Sequence, residues 1–351
     1  MGSISLEHIA LSILIWFALY LIVSLSLNIE YGFGGIPNFG RALAVLVGAI
    51  AVGAFVNRVI MLVLGINGDI IYASGEVKSL MNELISKDPL IGVALFLLVI
   101  LLAAALGALT GALFILPSAR LSEDYLAITL LAISEVLFMV SYCNPRIIGG
   151  YYGVSVPDIF AWAPGEWREP LFALLLIFTA TVIYFITDRI LSSPYGRLLK
   201  AMREDEEVVR ACGRDVMWIR IRTVALGSSI AAVAGALYSL YTLNVIATGF
   251  GRVEWTFYPF LMVLLGGAGN KKGVVAGTIS FVLIKILLMT YKYEIKDLFN
   301  LPFETVWLEY IIFGILMLLI LLFRPQGLIE EEPIMTEPMK EAWERYSKEK
   351  T

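Results

Sequence analysis

Short polar intervals divide the chain into apolar runs, and several of these, such as 42–65 and 90–117, reach or pass the roughly 18 residues needed to cross a bilayer. A run of that kind has one stable form in hydrocarbon. Lipid offers no partner for a free N–H or C=O, so the backbone must satisfy itself as helix. Composition agrees: 59% of residues are hydrophobic and 16% are charged, against about 25% charged in soluble domains. The expectation is an all-α polytopic membrane protein with about nine transmembrane helices. Candidate spans are 9–27, 42–65, 90–117, 124–142, 171–190, 223–245, 255–268, 273–290 and 306–323. The seventh is short and, with the eighth, is compatible with a hairpin around the glycine-rich segment 266–273. The N-terminus has neither a basic leader nor a convincing small-residue cleavage site, so the first run is read as a retained span.

Lys and Arg placement orients the helices. With 28–41, 118–123, 191–222, 269–272 and 324–351 inside, the inner segments hold 16 basic residues and the outer ones 7. That is the direction of the positive-inside rule. It puts the N-terminus outside and the C-terminus in the cytoplasm of a multi-pass plasma-membrane protein. The transmembrane body is expected over 1–328, with a cytoplasmic tail at 329–351 that runs from acidic to mixed charge and carries Trp343 and Tyr346. Cys143 and Cys212 fall on opposite sides, so they should not pair, and His8 is the only histidine. Metal, haem and Ser-His-Asp chemistry have almost no raw material here.

The densest charge lies in 193–213. Tyr195, Leu198, Met202, Val209 and Cys212 recur at helical steps within it, predicting a short amphipathic helix. Pro194 suits its first turn and Gly213 a left-handed stop. Nothing in it pairs a nucleophile with a base, so it reads either as a docking surface or as a solvated loop helix. A second irregular stretch, 31–40, holds four glycines, a proline and an asparagine between the first two spans. It is either an ordinary turn or a broken element lining a polar cavity. Ser24, Ser26 and Asn28 form a polar stripe leading into it.

Inside the spans, Glu135 is the carboxylate that should face protein or water; it is either a packing residue bonded across helices or part of a pathway. Arg58 and Lys285 lie nearer span ends, where they can snorkel. Small residues at four-residue spacing (Gly107/Gly111, Ala231/Gly235, Gly269/Gly273/Gly277) mark faces where helix backbones approach closely. No G-x-x-x-x-G-K-[ST] phosphate cradle occurs, so any ATP hydrolysis must come from another chain.

Several stretches, in order, resemble the permease family of the branched-chain amino-acid ABC importers, whose relatives include urea and amide permeases. They are SLNIEYGFGG at 26–35, DYLAITLLAISE at 124–135, PYGRLLKAMREDE at 194–206 followed by Gly213, the glycines from Gly266 to Gly277, and FRPQGL at 323–328. The arrangement looks like the longer of the two permease types in these importers. Two places depart from the family pattern: Val208 and Val209 stand where two alanines are usual, and 38–41 differs at the glycine-rich break.

The resemblance implies a transport subunit, not an enzyme, with no cofactor bound by this chain and ATP consumed by a partner. Implied partners are ABC ATPase subunits, a second permease in a heterodimer, an extracytoplasmic substrate-binding protein and membrane lipid; nucleic acid is not among them. It implies a coupling helix in the 191–222 loop, with Arg203, Glu204, Asp205, Glu206, Glu207 and Gly213 as ATPase-coupling residues. Candidate pathway residues are Asn28, Gly34, Gly35, Asn38 and Glu135. Branched-chain amino acids are the implied substrate, with urea or short amides as the alternative. A self-sufficient secondary transporter or channel is the reading from another class; it would need ionisable relays in several spans.

Overall fold

The computed structural model describes residues 6–299, 305–324 and 326–331. Pro325 of the FRPQGL stretch and the tail beyond Glu331, with Trp343 and Tyr346, lie outside the described residues. The helices are α1 (Leu6–Leu27), α2 (Arg41–Ile50), α3 (Asn57–Leu64), α4 (Ile70–Lys87), α5 (Pro89–Ile115), α6 (Glu123–Cys143), α7 (Pro145–Ile148), α8 (Gly165–Leu191), α9 (Pro194–Glu204), α10 (Glu206–Ala211), α11 (Val216–Thr242), α12 (Tyr258–Gly266), α13 (Lys271–Phe299) and α14 (Thr305–Phe323). Three π-turns interrupt or extend them, at Asn28–Phe33, Ala51–Val56 and Val253–Phe257. A two-residue antiparallel ribbon pairs Val154–Ser155 with Asn244–Val245.

Among the described residues, seven helices are long and apolar enough to cross a membrane: Glu7–Phe33, Arg41–Leu64, Pro89–Ile115, Asp124–Cys143, Gly165–Leu191, Val216–Thr242 and Lys271–Tyr291. A shorter apolar helix runs Trp307–Ile320. The expected nine are not reached by length. The stretch read as a seventh span folds as the π-turn Val253–Phe257 and the nine-residue α12. At 1.5 Å per residue α12 covers about 14 Å, under half of a hydrocarbon core of about 30 Å. It turns back at Gly266–Lys271 into α13, so the hairpin reading of this region matches the fold.

The core is organised on α11, which buries most of its length against α2, α5 and α1. Small residues make this possible. A Cβ on Gly48 would stand 1.8 Å from the Ala232 carbonyl oxygen, and one on Gly235 1.8 Å from that of Val45. Gly107 and Gly111 meet Ser228 and its neighbours in the same way, and Gly266, Gly273 and Gly277 bring α12 against α13. The four-residue spacing seen in the sequence is therefore backbone contact within one chain.

Helix starts follow their caps. Asp88, Ser193, Asp205 and Asp215 each accept a backbone N–H two residues on, and Pro89 and Pro194 sit in the first turn behind such caps. Asp205 changes the expected picture: it adopts an extended backbone (φ −158°, ψ 109°) and accepts from the Glu207 and Val208 amides. The single amphipathic helix expected over 195–213 is thus two helices, α9 and α10, with the break where an aspartate competes for backbone donors.

Loops sort to two ends. At one end, segments 28–40, 118–122, 191–222, 266–271 and 326–331 interlock through Arg203, Arg220, Asn270 and Lys271, the last donating to Ser192. At the other, 66–88, 143–169 and 243–246 do so: Lys78 reaches the Leu243 carbonyl, and the amide of Asp158 bonds Asn82. Each group corresponds to one side of the charge count.

Candidate functional site

The glycine-rich break is built into the bundle. The π-turn Asn28–Phe33 carries α1 onward, and most residues to Gly40 are buried. Gly35 has φ +66°, and a Cβ there would meet Arg203 at 3.0 Å. Within the break, Glu30 and Arg41, both 0% exposed, form an ion pair. Asn38 Nδ2 donates to the same Glu30 oxygen at 2.9 Å and its Oδ1 accepts the Gly40 amide at 3.0 Å. Glu30 Oε1 and Arg41 Nε and Nη1 have no hydrogen-bond partner among the described residues. Arg41 also opens α2, whose Ala42 N–H donates to Thr256 Oγ1 at 2.9 Å.

Helix α9 is pinned to this break. Arg203 donates to the Gly32 carbonyl and, at 2.8 Å, to Glu331 Oε2, whose other oxygen lies 2.5 Å from Lys200. Partial burial works against the Arg203 charge, but the Glu331 and Glu204 carboxylates outweigh it and hold the guanidinium above its usual range. The Lys200 ammonium sits 5.1 Å over the Phe33 ring. The strap carrying Glu331 hydrogen-bonds the α12–α13 turn, Leu328 N–H to Leu265 O at 2.8 Å and Ile329 N–H to Gly266 O at 3.1 Å. From the other side of that turn, the Gly269 amide donates to Asn28 Oδ1 at 3.0 Å.

A cavity of about 530 Å³ opens between α2, α6 and the 248–254 segment. Its walls combine Leu43, Leu46, Phe138 and Phe250 with three charges, Glu135, Arg252 and Glu254. Glu135 Oε2 lies 3.6 Å from Arg252 Nη1. Behind it, Lys285, 3% exposed, donates to the Tyr20 hydroxyl at 2.9 Å, lies 3.7 Å from Glu309 and is ringed by Trp16, Tyr20 and Tyr258. It does not snorkel: in the middle of α13, aromatic faces and a carboxylate supply what water would.

Comparison with known proteins decides the family. The sequence profile described as "Branched-chain amino acid transport system / permease component" matches residues 9–321. The chain belongs to that family. It is 57% identical over 328 residues to the "Probable branched-chain amino acid transport permease protein LivM" of Methanocaldococcus jannaschii, covering 93% of this chain and 95% of that one. It is 29% identical over 255 residues to the high-affinity branched-chain amino acid transport system permease protein LivM of Escherichia coli, covering 65% of this chain and 55% of that one. The corresponding BraD protein of Pseudomonas aeruginosa is 30% identical over 156 residues, 44% of this chain and 46% of that one. No solved structure matches. As a family member, the chain is a multi-pass transport subunit, not an enzyme.

The residues singled out in the sequence are spread over three places. Of the pathway set, Glu135 lines the large cavity. Asn38 holds Glu30 and borders a void of about 20 Å³. Asn28 holds the Gly269 amide, and Gly34 and Gly35 give the close contacts of the break. Ser24 and Ser26 bond to Met262 and to the Val23 carbonyl. Arg58 reaches the Arg146 carbonyl near a span end.

In the coupling set, Arg203 and Glu206 are engaged within the chain. Glu206 pairs with buried Arg220, whose Nη1 also donates to the Ala119 and Leu121 carbonyls at 3.0 and 2.7 Å. Asp205 is a cap. Glu204 and Glu207 are exposed, and Gly213 has φ +76° with open space around it. The sequence reading missed Glu30 and Arg41 as a pair, and Arg252 and Glu254 as cavity residues. Eleven positions separate the first two across the break, and the signal was present: two charges bordering an apolar segment that has to be buried.

Proposed function

We propose that the chain is the membrane-spanning permease subunit of an ATP-driven importer for branched-chain amino acids. The cavity carries this reading. A zwitterion needs both signs of charge and a dry wall: Arg252 suits the carboxylate, Glu135 and Glu254 suit the ammonium, and Leu43, Leu46, Phe138 and Phe250 suit an aliphatic side chain. Urea or a short amide carries no charge to meet the Glu135–Arg252 pair and Glu254, so the cavity favours an amino acid. The names of the relatives point the same way.

The α9–α10 end is read as cytoplasmic, as its surplus of Lys and Arg favours. There an ATPase subunit docks on the exposed face carrying Glu204, Glu207 and Gly213, and its closure moves α9 and α10 to switch cavity access. A second permease completes the membrane part, and a substrate-binding protein delivers ligand on the opposite side. ATP is bound by the partner, and no cofactor by this chain. The test is reconstitution of the chain with its ATPase, second permease and binding protein in liposomes. ATP-dependent uptake of leucine, isoleucine or valine, weakened by Glu207→Lys or a bulky residue at Gly213, is expected. Uptake without ATP, uptake of urea or amides alone, or full coupling in those variants would overturn the reading.

A further inference from the structure

We propose that Arg203 and the Glu30–Arg41 pair are positioning residues of transport, carrying movement of α9 through the glycine-rich break to the cavity wall. This rests on the reading of α9–α10 as the ATPase-facing end. Three contacts join in series. Arg203 on α9 holds the carbonyl of Gly32, inside the π-turn Asn28–Phe33. Glu30 of that same turn pairs with Arg41, the first residue of α2. The next residue, Ala42, lines the cavity and donates its N–H to Thr256 Oγ1, within the π-turn Val253–Phe257 that follows Arg252 and holds Glu254. Glu331 holds Arg203 and Lys200 of α9 together, which fixes the guanidinium relative to its own helix.

Two features suit this chain of contacts to switching. Both turns it crosses are π-helical, with one residue more per turn than the α-helix around them. Such turns recur at functional sites. The ion pair also leaves Glu30 Oε1 and Arg41 Nε and Nη1 buried without hydrogen-bond partners among the described residues. Buried polar atoms in that condition favour any second arrangement that satisfies them. A bistable element with spare bonding capacity is what a partner-driven transition needs.

The experiment uses the complete importer in liposomes, with ATP hydrolysis and leucine uptake measured on the same preparation. Thr256→Val removes the acceptor for Ala42 at nearly constant volume, and Thr256→Ser restores it. Glu30→Gln with Arg41→Met removes the pair without leaving one charge behind. Thr256→Val and the double variant should assemble with the ATPase and hydrolyse ATP within about twofold of wild type, while uptake per ATP falls about tenfold or more. Thr256→Ser should recover most of it. Combining Thr256→Val with the double variant should cost no more than either alone, because one series of contacts is being cut.

Wild-type uptake per ATP in both variants would overturn the proposal, as would losses that multiply when they are combined. If the wild-type importer itself shows no ATP-driven uptake, the functional reading fails. If it transports and the variants match it, only the relay fails.

Discussion

Glu30 and Arg41 allow an asymmetric prediction about stability. Both side chains are 0% exposed, so neither can turn to water when its partner is removed. Breaking a buried pair by deleting one partner typically costs about 3–5 kcal/mol, whereas replacing both by apolar groups is often neutral or stabilising. The structure indicates which deletion sits where in that range. Glu30→Gln leaves a guanidinium that cannot lose its proton, with Nε and Nη1 lacking hydrogen-bond partners among the described residues; its cost should be about 5 kcal/mol. Arg41→Met leaves a carboxylate that keeps the Asn38 amide and can be neutralised by a proton, so its cost should lie near 3 kcal/mol. The double variant leaves no unpaired charge, only a buried neutral amide, and should cost less than either single one, about 1–3 kcal/mol. SDS-titrated unfolding of the solubilised chain, followed by tryptophan fluorescence, measures all four proteins on one scale. A double variant less stable than either single one would refute the reasoning, as would a costlier Arg41→Met than Glu30→Gln.

Further predictions use the same geometry. Gly48→Ala and Gly235→Ala would drive a methyl into a carbonyl across the α2–α11 crossing and should each lose at least about 1–3 kcal/mol, whereas Gly314→Ala, with nothing within 4 Å, should leave the melting temperature unchanged. Gly213→Ala has space but not conformation, since φ is +76°; about 1–2 kcal/mol of local strain is expected, read as faster hydrogen exchange in α10. Cys143 and Cys212 are both exposed and lie at opposite ends of the bundle, so a membrane-impermeant maleimide should label Cys143 in intact cells and Cys212 only after permeabilisation; the reverse pattern would invert the proposed topology. In the reconstituted importer, Glu135→Gln and Arg252→Met should reduce leucine uptake about tenfold or more while the ATPase still copurifies, and unchanged uptake in both would remove the cavity from the pathway.

Much of the fold could be read from hydropathy, because lipid imposes a strict rule: every spanning segment is a helix long enough to cross. The hairpin at 266–273, the small-residue faces and the sorting of loops to two ends are direct consequences of pattern and charge. The span count was less readable, because residues 255–268 are apolar for a different reason. They are buried in protein, where an apolar run of nine residues is as content as one of twenty in lipid, and hydropathy does not distinguish the two solvents. The helix break at Asp205 was missed for a local reason: an aspartate within a periodic pattern can cap a new helix as readily as decorate an old one.

Charge was readable one residue at a time, but its partners were not. Glu135 stood out because its neighbours are apolar, whereas Glu30 was hidden among the polar residues of the break, although it is the more deeply buried of the two. Long-range pairing decides such cases. Gly34 lets the chain pass close to the Glu30 carbonyl, where a Cβ would stand at 2.8 Å, and Glu30 fits only because Gly227 on α11 has no side chain: a Cβ there would lie 2.0 Å from Glu30 Oε1. A carboxylate, a guanidinium and a glycine some 200 residues away in sequence thus form one site. Gly227→Ala should therefore act on the ion pair, not on helix crossing alone, and its cost should shrink once Glu30→Gln and Arg41→Met are already present. Equal costs in the two backgrounds would mean that the glycine serves the helix crossing and owes nothing to the charge.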